Sequence, residues 1–342
     1  MPSTTPLRVA VAGAGAFGRN HLRIYRELEI SGATSGGPVQ LAAIIEQDST
    51  RAVALQQEFQ VPVFPSAEAC VEQVGSGTLS LDAASVCVPT IHHARTTSAL
   101  LSAGVDVLVE KPFVSTVEEA DALISLAEAN RRVLQIGHLE RFNPAVTAVA
   151  AHLNQPMFFE AHRLSIFTPR SLDVDVVLDL MIHDLDVVLS FVDSPVREVR
   201  AVGLPVLSGK VDIANVRVEF QSGCVANFTA SRVSTERVRK LRFFQPHQYI
   251  SIDYARQDAL LIDVSGAASS HPSTGLGVGS IPVTEGEPLR LEIESFLACV
   301  RTRATPRVTA QQGRAALALA LEINRAIADH AQRAGLERFI QL

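Results

Sequence analysis

The sequence predicts an α/β fold: a doubly wound parallel sheet, followed by an α+β domain on a mainly antiparallel, open-faced sheet. Three observations carry this. Short apolar runs alternate with helix-like stretches over the first third of the chain. A glycine-rich hexapeptide follows the first of those runs, and beyond about residue 155 closely spaced runs separated by polar turns take over. The first pattern is that of βαβ units covered on both faces, and the last is that of strands joined by hairpins.

Taken in order, buried parallel strands are expected at 7–12, 39–45, 83–88, 105–109 and 133–137, with helices at 17–29, 50–59, 91–103 and 116–130 between them. The Ser/Gly-rich stretch 31–38 lengthens the first crossover. In the second half, 216–220 and 225–229 flank Gln221-Ser222-Gly223-Cys224 as a hairpin. Strands at 241–244, 249–254 and 259–264 follow, then a Gly/Ser/Pro-rich loop at 266–286 and helices at 292–301 and 310–334. A domain boundary near residue 136 divides the chain into 1–136 and 137–342.

Composition narrows the class. An apolar fraction of 47% with 19% charged residues describes a chain able to bury a core. With a net charge of −6 and scattered basic residues, the chain lacks the basic stripe of a nucleic-acid binder. Four widely spaced cysteines show neither CxxC nor metal-ligand spacing, so neither disulfides nor a metal site is expected. A signal sequence and a membrane span are not expected either, and the cytoplasm is the simple reading.

Gly13-Ala14-Gly15-Ala16-Phe17-Gly18 is GxGxxG between a strand and a helix. The first glycine permits the turn, the second lets a pyrophosphate approach the backbone, and the third allows helix and strand to pack closely. The helix N-terminus stabilises phosphate charge. These are the elements of a Rossmann dinucleotide site. Glu46, just past the next strand, suits the ribose hydroxyls of NAD and repels a 2′-phosphate, although Arg51 lies near.

Two further segments carry chemistry. Glu110-Lys111-Pro112 ends a strand, where doubly wound sheets face their ligand, so Lys111 can stabilise negative charge on a reacting oxygen. A solvated lysine before a proline is the plain alternative. In 177–192, Asp179, His183, Asp186 and Ser190 form a narrow polar strip on an otherwise apolar helix. A carboxylate beside an imidazole makes a general base, and a solvated helix edge is the plain alternative. His138, Arg141 and Asn143 either line the crevice or cap the helix starting near Pro144.

Together these features resemble the glucose–fructose oxidoreductase/inositol dehydrogenase (Gfo/Idh/MocA) family over nearly the whole chain. The resemblance rests on the GAGAFG hexapeptide with His21 beyond it, 88–93, Glu110-Lys111-Pro112, Asp179-x-x-x-His183 and 288–293. It implies that Lys111 is the catalytic lysine and His183 the acid/base, with Asp179 beside it. It also implies that Pro89, Thr90, His93 and Glu110 lie near the cofactor, and that the Lys111–Pro112 peptide is often cis. Met181-Ile182 departs from the glycine many members carry there.

The segments 138–144 and 161–170 resemble a bacterial subgroup that includes UDP-N-acetylglucosamine 3-dehydrogenases preparing a 3-amino sugar for lipid A. That implies oxidation of a C3 hydroxyl by NAD, an aminotransferase as next enzyme, and a homodimer or homotetramer. Arg163 and Arg170 are then candidates for the diphosphate, with surface arginines the plain alternative. A free polyol dehydrogenase, an NAD-assisted glycosidase and an NAD-binding redox sensor remain as other readings.

Overall fold

A computed structural model describes residues 5–32, 37–168, 174–263 and 277–336. The chain divides into two compact units, 1–138 with 289–314, and 139–288 with 315–342.

The first unit opens with β1 (Leu7–Ala12), α1 (Gly18–Ser31), β2 (Val39–Ile45), α2 (Ser49–Phe59), β3 (Val63–Phe64), α3 (Ala67–Gly75) and β4 (Ala83–Val86). A 3-10 turn at Thr90–His92 leads to α4 (His93–Ser102), then β5 (Asp106–Glu110), α5 (Val117–Ala129) and β6 (Leu134–Gly137). The strands form one parallel sheet in the order β3-β2-β1-β4-β5-β6. Strand order reverses between β1 and β4, the place where doubly wound sheets bind ligands. β4 and β5 are buried at every residue, as strands covered on both faces must be. Side-chain caps start the helices: Asp48, Ser66 and Thr116 each accept a backbone N–H, and Thr116 with Glu119 completes a capping box.

The expected boundary needs correction at its far end. The helix expected at 292–301 within the second domain spans Pro288–Thr302, and its Leu289, Ile293, Phe296 and Leu297 pack into the core of β1, β2 and α1. Residues 308–309 continue along β6, through Ile136 N–H to Val308 O and a bridge between Gln135 and Thr309. A late segment returns because β6 is an edge strand whose outer side needs cover.

The second unit holds α6 (Pro144–Val149), β7 (Phe158–Leu164), a π turn at Val177–Met181, α7 (Ile182–Phe191) and β8 (Val196–Leu204). There follow β9 (Ile213–Phe220), β10 (Val225–Ser231), β11 (Val238–Gln245), β12 (Gln248–Asp253), β13 (Asp258–Asp263) and β14 (Gly277–Ser280). The chain closes with α8, the Pro288–Thr302 helix of the first unit, and α9 (Ala310–Ala334). The eight strands run β14-β13-β12-β11-β7-β10-β9-β8, antiparallel except for β7 beside β10. Burial alternates along β7, β9 and β10, so one face is covered and the other open. The covered face packs Phe159, Val216, Phe228 and Phe243 against residues of α6, α7 and α9.

The 266–286 loop reading is revised in part: residues 277–280 form β14, paired with β13, while 264–276 lie outside the described residues.

Candidate active site

In the first unit, the glycine loop builds a candidate dinucleotide site. Gly13 has φ +86°, and a Cβ there would lie 2.7 Å from Val88 N. A Cβ on Gly18 would lie 1.8 Å from Gly13 O, so helix α1 can approach the loop only without one. At Gly15 nothing stands within 4 Å of the Cβ position. Gly15 therefore leaves room for a ligand rather than for a neighbour, which is what a pyrophosphate requires. The first turn of α1 carries no acidic residue, leaving its N-terminal partial charge to an anion.

Beside the loop lies a cavity of ≈ 450 Å³ lined by Gly13, Gly15, Glu46, Arg51, Val88, Pro89 and others. Residues not singled out from the sequence also line it: Pro65–Glu68 at the start of α3, and Arg95 and Thr96, together with His92 of the 88–93 segment. Only Ser66 offered a signal, as a helix cap. Ala16, Phe17, Gly18 and Thr90 are not among the lining residues. Phe17 instead sets its ring edge-on to His21, 5.5 Å between centroids.

Glu46 is buried and bound on both oxygens. It accepts from Ala14 N–H at 3.1 Å, Asp48 N–H at 2.9 Å and Arg51 Nη1 at 3.0 Å. It thereby ties the glycine loop to the end of β2. A carboxylate has about four acceptor positions, of which described residues occupy three.

Lys111 follows the last residue of β5 and is half-buried, with a cis peptide to Pro112. Glu110 accepts a hydrogen bond at 3.0 Å from Nε2 of His21, which lies fully buried in α1. His93 is 1% exposed. Its Nδ1 faces the carbonyls of Pro112 and Phe113 at 2.9 and 3.1 Å, and its Nε2 faces Val88 O at 2.8 Å. The resemblance expects His93 near the cofactor; its two ring nitrogens face backbone carbonyls. Burial holds the imidazole below its ordinary pKa, against three carbonyls that favour the cation.

In the second unit, Asp179 lies in the π turn and His183 in the first turn of α7. The Ile182 N–H reaches Val177 O, five residues back, so the regular wheel drawn from the sequence breaks between Asp179 and His183. π turns of this kind recur at functional sites. Asp179 is half-buried, while His183 and Asp186 are buried. Arg141 Nη1 lies 3.5 Å from Asp186 Oδ1, and Ser190 donates to Val187 O at 2.6 Å.

Two substrate assignments are overturned. Arg163, 4% exposed, donates to both oxygens of Asp184 at 2.7 and 3.1 Å and to Glu140 at 3.1 Å. Its guanidinium also lies 5.1 Å from the centroid of the Tyr254 ring. It is a buried structural cation, with no face left for a diphosphate. Burial opposes its charge, but the two carboxylates more than compensate and raise its pKa. Asn143 caps α6 through Ala145 N–H at 3.1 Å and donates to Glu140 and Tyr254 O. The helix-cap alternative is therefore the correct one for Asn143. Arg170 lies outside the described residues.

Residues 7–138 match the oxidoreductase family with NAD-binding Rossmann fold, and 145–246 match the GFO/IDH/MocA C-terminal domain. The chain belongs to the Gfo/Idh/MocA family. Among relatives, it is 35% identical to a UDP-N-acetylglucosamine 3-dehydrogenase of Acidithiobacillus ferrooxidans, over 96% of this chain and 99% of that one. A solved structure of the Acidithiobacillus enzyme superposes with a TM-score of 0.83 at 33% identity, covering 94% of this chain and 98% of that one. An inositol 2-dehydrogenase of Acidothermus cellulolyticus is 27% identical over 59% of this chain and 58% of its own. A levoglucosan dehydrogenase in complex with NADH and levoglucosan shares the fold, with a TM-score of 0.82 at 15% identity over 95% of this chain and 98% of that one.

As a Gfo/Idh/MocA protein the chain is an NAD-dependent sugar dehydrogenase. The open space at Gly15 and the acceptor geometry of Glu46 fit that cofactor. Among the described residues, no helix is long and apolar enough to cross a membrane.

Proposed function

We propose that the chain oxidises the C3 hydroxyl of UDP-N-acetylglucosamine to the 3-keto sugar, with NAD as acceptor. The observation that carries this is the 35% identity to the Acidithiobacillus enzyme over essentially the full length of both chains. In this reading His183 accepts the hydroxyl proton, Asp179 supports the imidazole, and the Lys111 ammonium stabilises the developing alkoxide. The bound nicotinamide supplies the hydride acceptor. The carbon loses a hydride and the oxygen a proton, which leaves the ketone. Gly13, Gly15, Glu46 and Pro89 hold the dinucleotide, and Glu46 favours NAD over NADP. Arg141 remains a candidate for substrate contact.

The wider proposal has three parts. An aminotransferase converts the ketone to the amine of a lipid A precursor, the chain works in the cytoplasm, and it does so as a homodimer or homotetramer.

The burial of Arg163 favours a second reading, because it removes one of two arginines read as diphosphate ligands. A free polyol, such as an inositol, needs no such ligand.

The test measures NADH formation with NAD and either UDP-N-acetylglucosamine or myo-inositol. An aminotransferase with glutamate is added to draw off ketone. Turnover confined to the nucleotide sugar is expected, and turnover confined to inositol would replace the proposal with the second reading. Lys111→Met and His183→Ala should each lower kcat by about 10²- to 10⁴-fold, with NADH affinity retained.

A further inference from the structure

Lys111 stands one residue past β5, where ladder bonds no longer hold the chain. The residues on either side of it are nevertheless pinned, each by a buried histidine. On one side, His21 binds the Glu110 carboxylate at 3.0 Å. That carboxylate is confined further, since a Cβ on Gly137 would lie 2.8 Å from Glu110 Oε1. On the other side, His93 sits between the carbonyls of Pro112 and Phe113, which face its Nδ1, and that of Val88, just past β4, which faces its Nε2.

We propose that His21 and His93 are positioning residues for Lys111, which fix the backbone from which the amine projects. The inference rests on the catalytic reading of Lys111 given above. Burial argues for positioning rather than chemistry, because at 0% and 1% exposure neither ring can touch a reacting atom. Packing alone is a poor account of His21. Its Nδ1 has no hydrogen-bond partner among the described residues, a cost that an apolar ring of the same size would avoid. The polar ring makes sense for the bond it makes to Glu110. At His93 all contacts are carbonyls, which only accept, so the neutral ring donates from one nitrogen, to whichever side carries its proton.

Displacing a positioned group by about 1 Å can cost about 10²-fold in rate. His21→Phe and His93→Phe should therefore lower kcat with UDP-N-acetylglucosamine by about tenfold or more, with NADH affinity and melting temperature little changed. His21→Gln places an amide N–H where Nε2 stood and should restore most of the loss. In a Lys111→Met background, His21→Phe should have no further effect, because the residue it positions is gone. Equal loss in both backgrounds, or wild-type kcat in both Phe variants, would overturn the inference while leaving Lys111 catalytic. Wild-type turnover in Lys111→Met alone would instead overturn the catalytic reading, and the inference with it.

A measurement without substrate keeps the inference testable if the sugar is another. The sequence has only three lysines, 111, 210 and 240, so trace acetylation read by peptide mass spectrometry has two internal standards. Lys111 should label faster relative to Lys210 and Lys240 in both Phe variants. An unchanged ratio overturns the inference. Should His93→Phe not fold, His93→Gln, which keeps one donor, and Gly137→Ala, which displaces the Glu110 carboxylate, take its place.

Discussion

Gly13 and Gly15 are two residues apart, and enlarging them has different consequences. Gly13→Ala forces a methyl into the backbone of Cys87 and Val88 at 2.7–2.8 Å and strains a positive φ, so it should lower the melting temperature. Gly15→Ala meets nothing within 4 Å. It should melt like the wild type and yet lose NADH affinity in a fluorescence titration, because the methyl occupies the space left for the pyrophosphate. Wild-type affinity in Gly15→Ala would show that the phosphates lie elsewhere. The contrast between a glycine needed by the chain and one needed by a ligand was legible in the hexapeptide. The fate of Arg163 was not. An arginine that reaches for phosphate and one sealed against Asp184 and Glu140 have the same neighbours in sequence. Arg163→Met leaves two buried carboxylates uncompensated and should cost about 3–5 kcal/mol in urea unfolding. A loss confined to KM would restore the substrate role.

At the scale of elements, the turn between β8 and β9 shows how one carboxylate organises a segment. Asp212 is fully buried. It accepts backbone N–H bonds from Val206, Leu207 and Ser208 at 2.7–2.8 Å, and the Ser208 hydroxyl at 2.6 Å. Burial raises its pKa, but these donors outweigh burial and hold it below the ordinary carboxylate range. A lowered folded pKa stabilises at pH above the unfolded value, about 4. The contribution is lost as pH falls through the folded value. Thermal melts from about pH 7 to about pH 3 should therefore fall less steeply for Asp212→Asn than for the wild type, from a lower start. Parallel slopes would mean that Asp212 contributes nothing to acid sensitivity.

Elements with clean periodicity were readable: β1 and β2 were placed at their observed bounds, and the 216–229 hairpin forms as β9 and β10. Those missed were β7, β8, α3 and the short strands β3 and β14. β7 places a charged Arg163 on its buried face, and β8 is an exposed, charged edge. Neither shows the apolar run that marks a strand. The π turn at Asp179 was also out of reach, because its wider turn is not written in side-chain spacing.

At the scale of the molecule, each unit has its own core, one built on the parallel sheet and one on the antiparallel sheet. The second sheet keeps one face open. Phe158 stacks on Phe244 with centroids 5.6 Å apart, Phe244 meets Tyr249 at 5.0 Å, and Phe244 is 38% exposed. If the proposed homo-oligomer forms on this face, Phe244→Glu should dissociate it, as read by light scattering after size exclusion, with the secondary structure intact. An unchanged mass would move the interface elsewhere.

By itself the sequence determined the two kinds of sheet, the dinucleotide loop and the residue types of the chemistry. These follow from covalent neighbours and from periodicities of two and 3.6 residues, which are local properties. Only the tertiary structure decided that 289–314 returns to the first unit, that His21 meets Glu110, and that Arg163 and Asn143 are spent inside the fold. Such pairings depend on which distant residue arrives to bury or bond a group, and nothing in the spacing along the chain encodes that meeting.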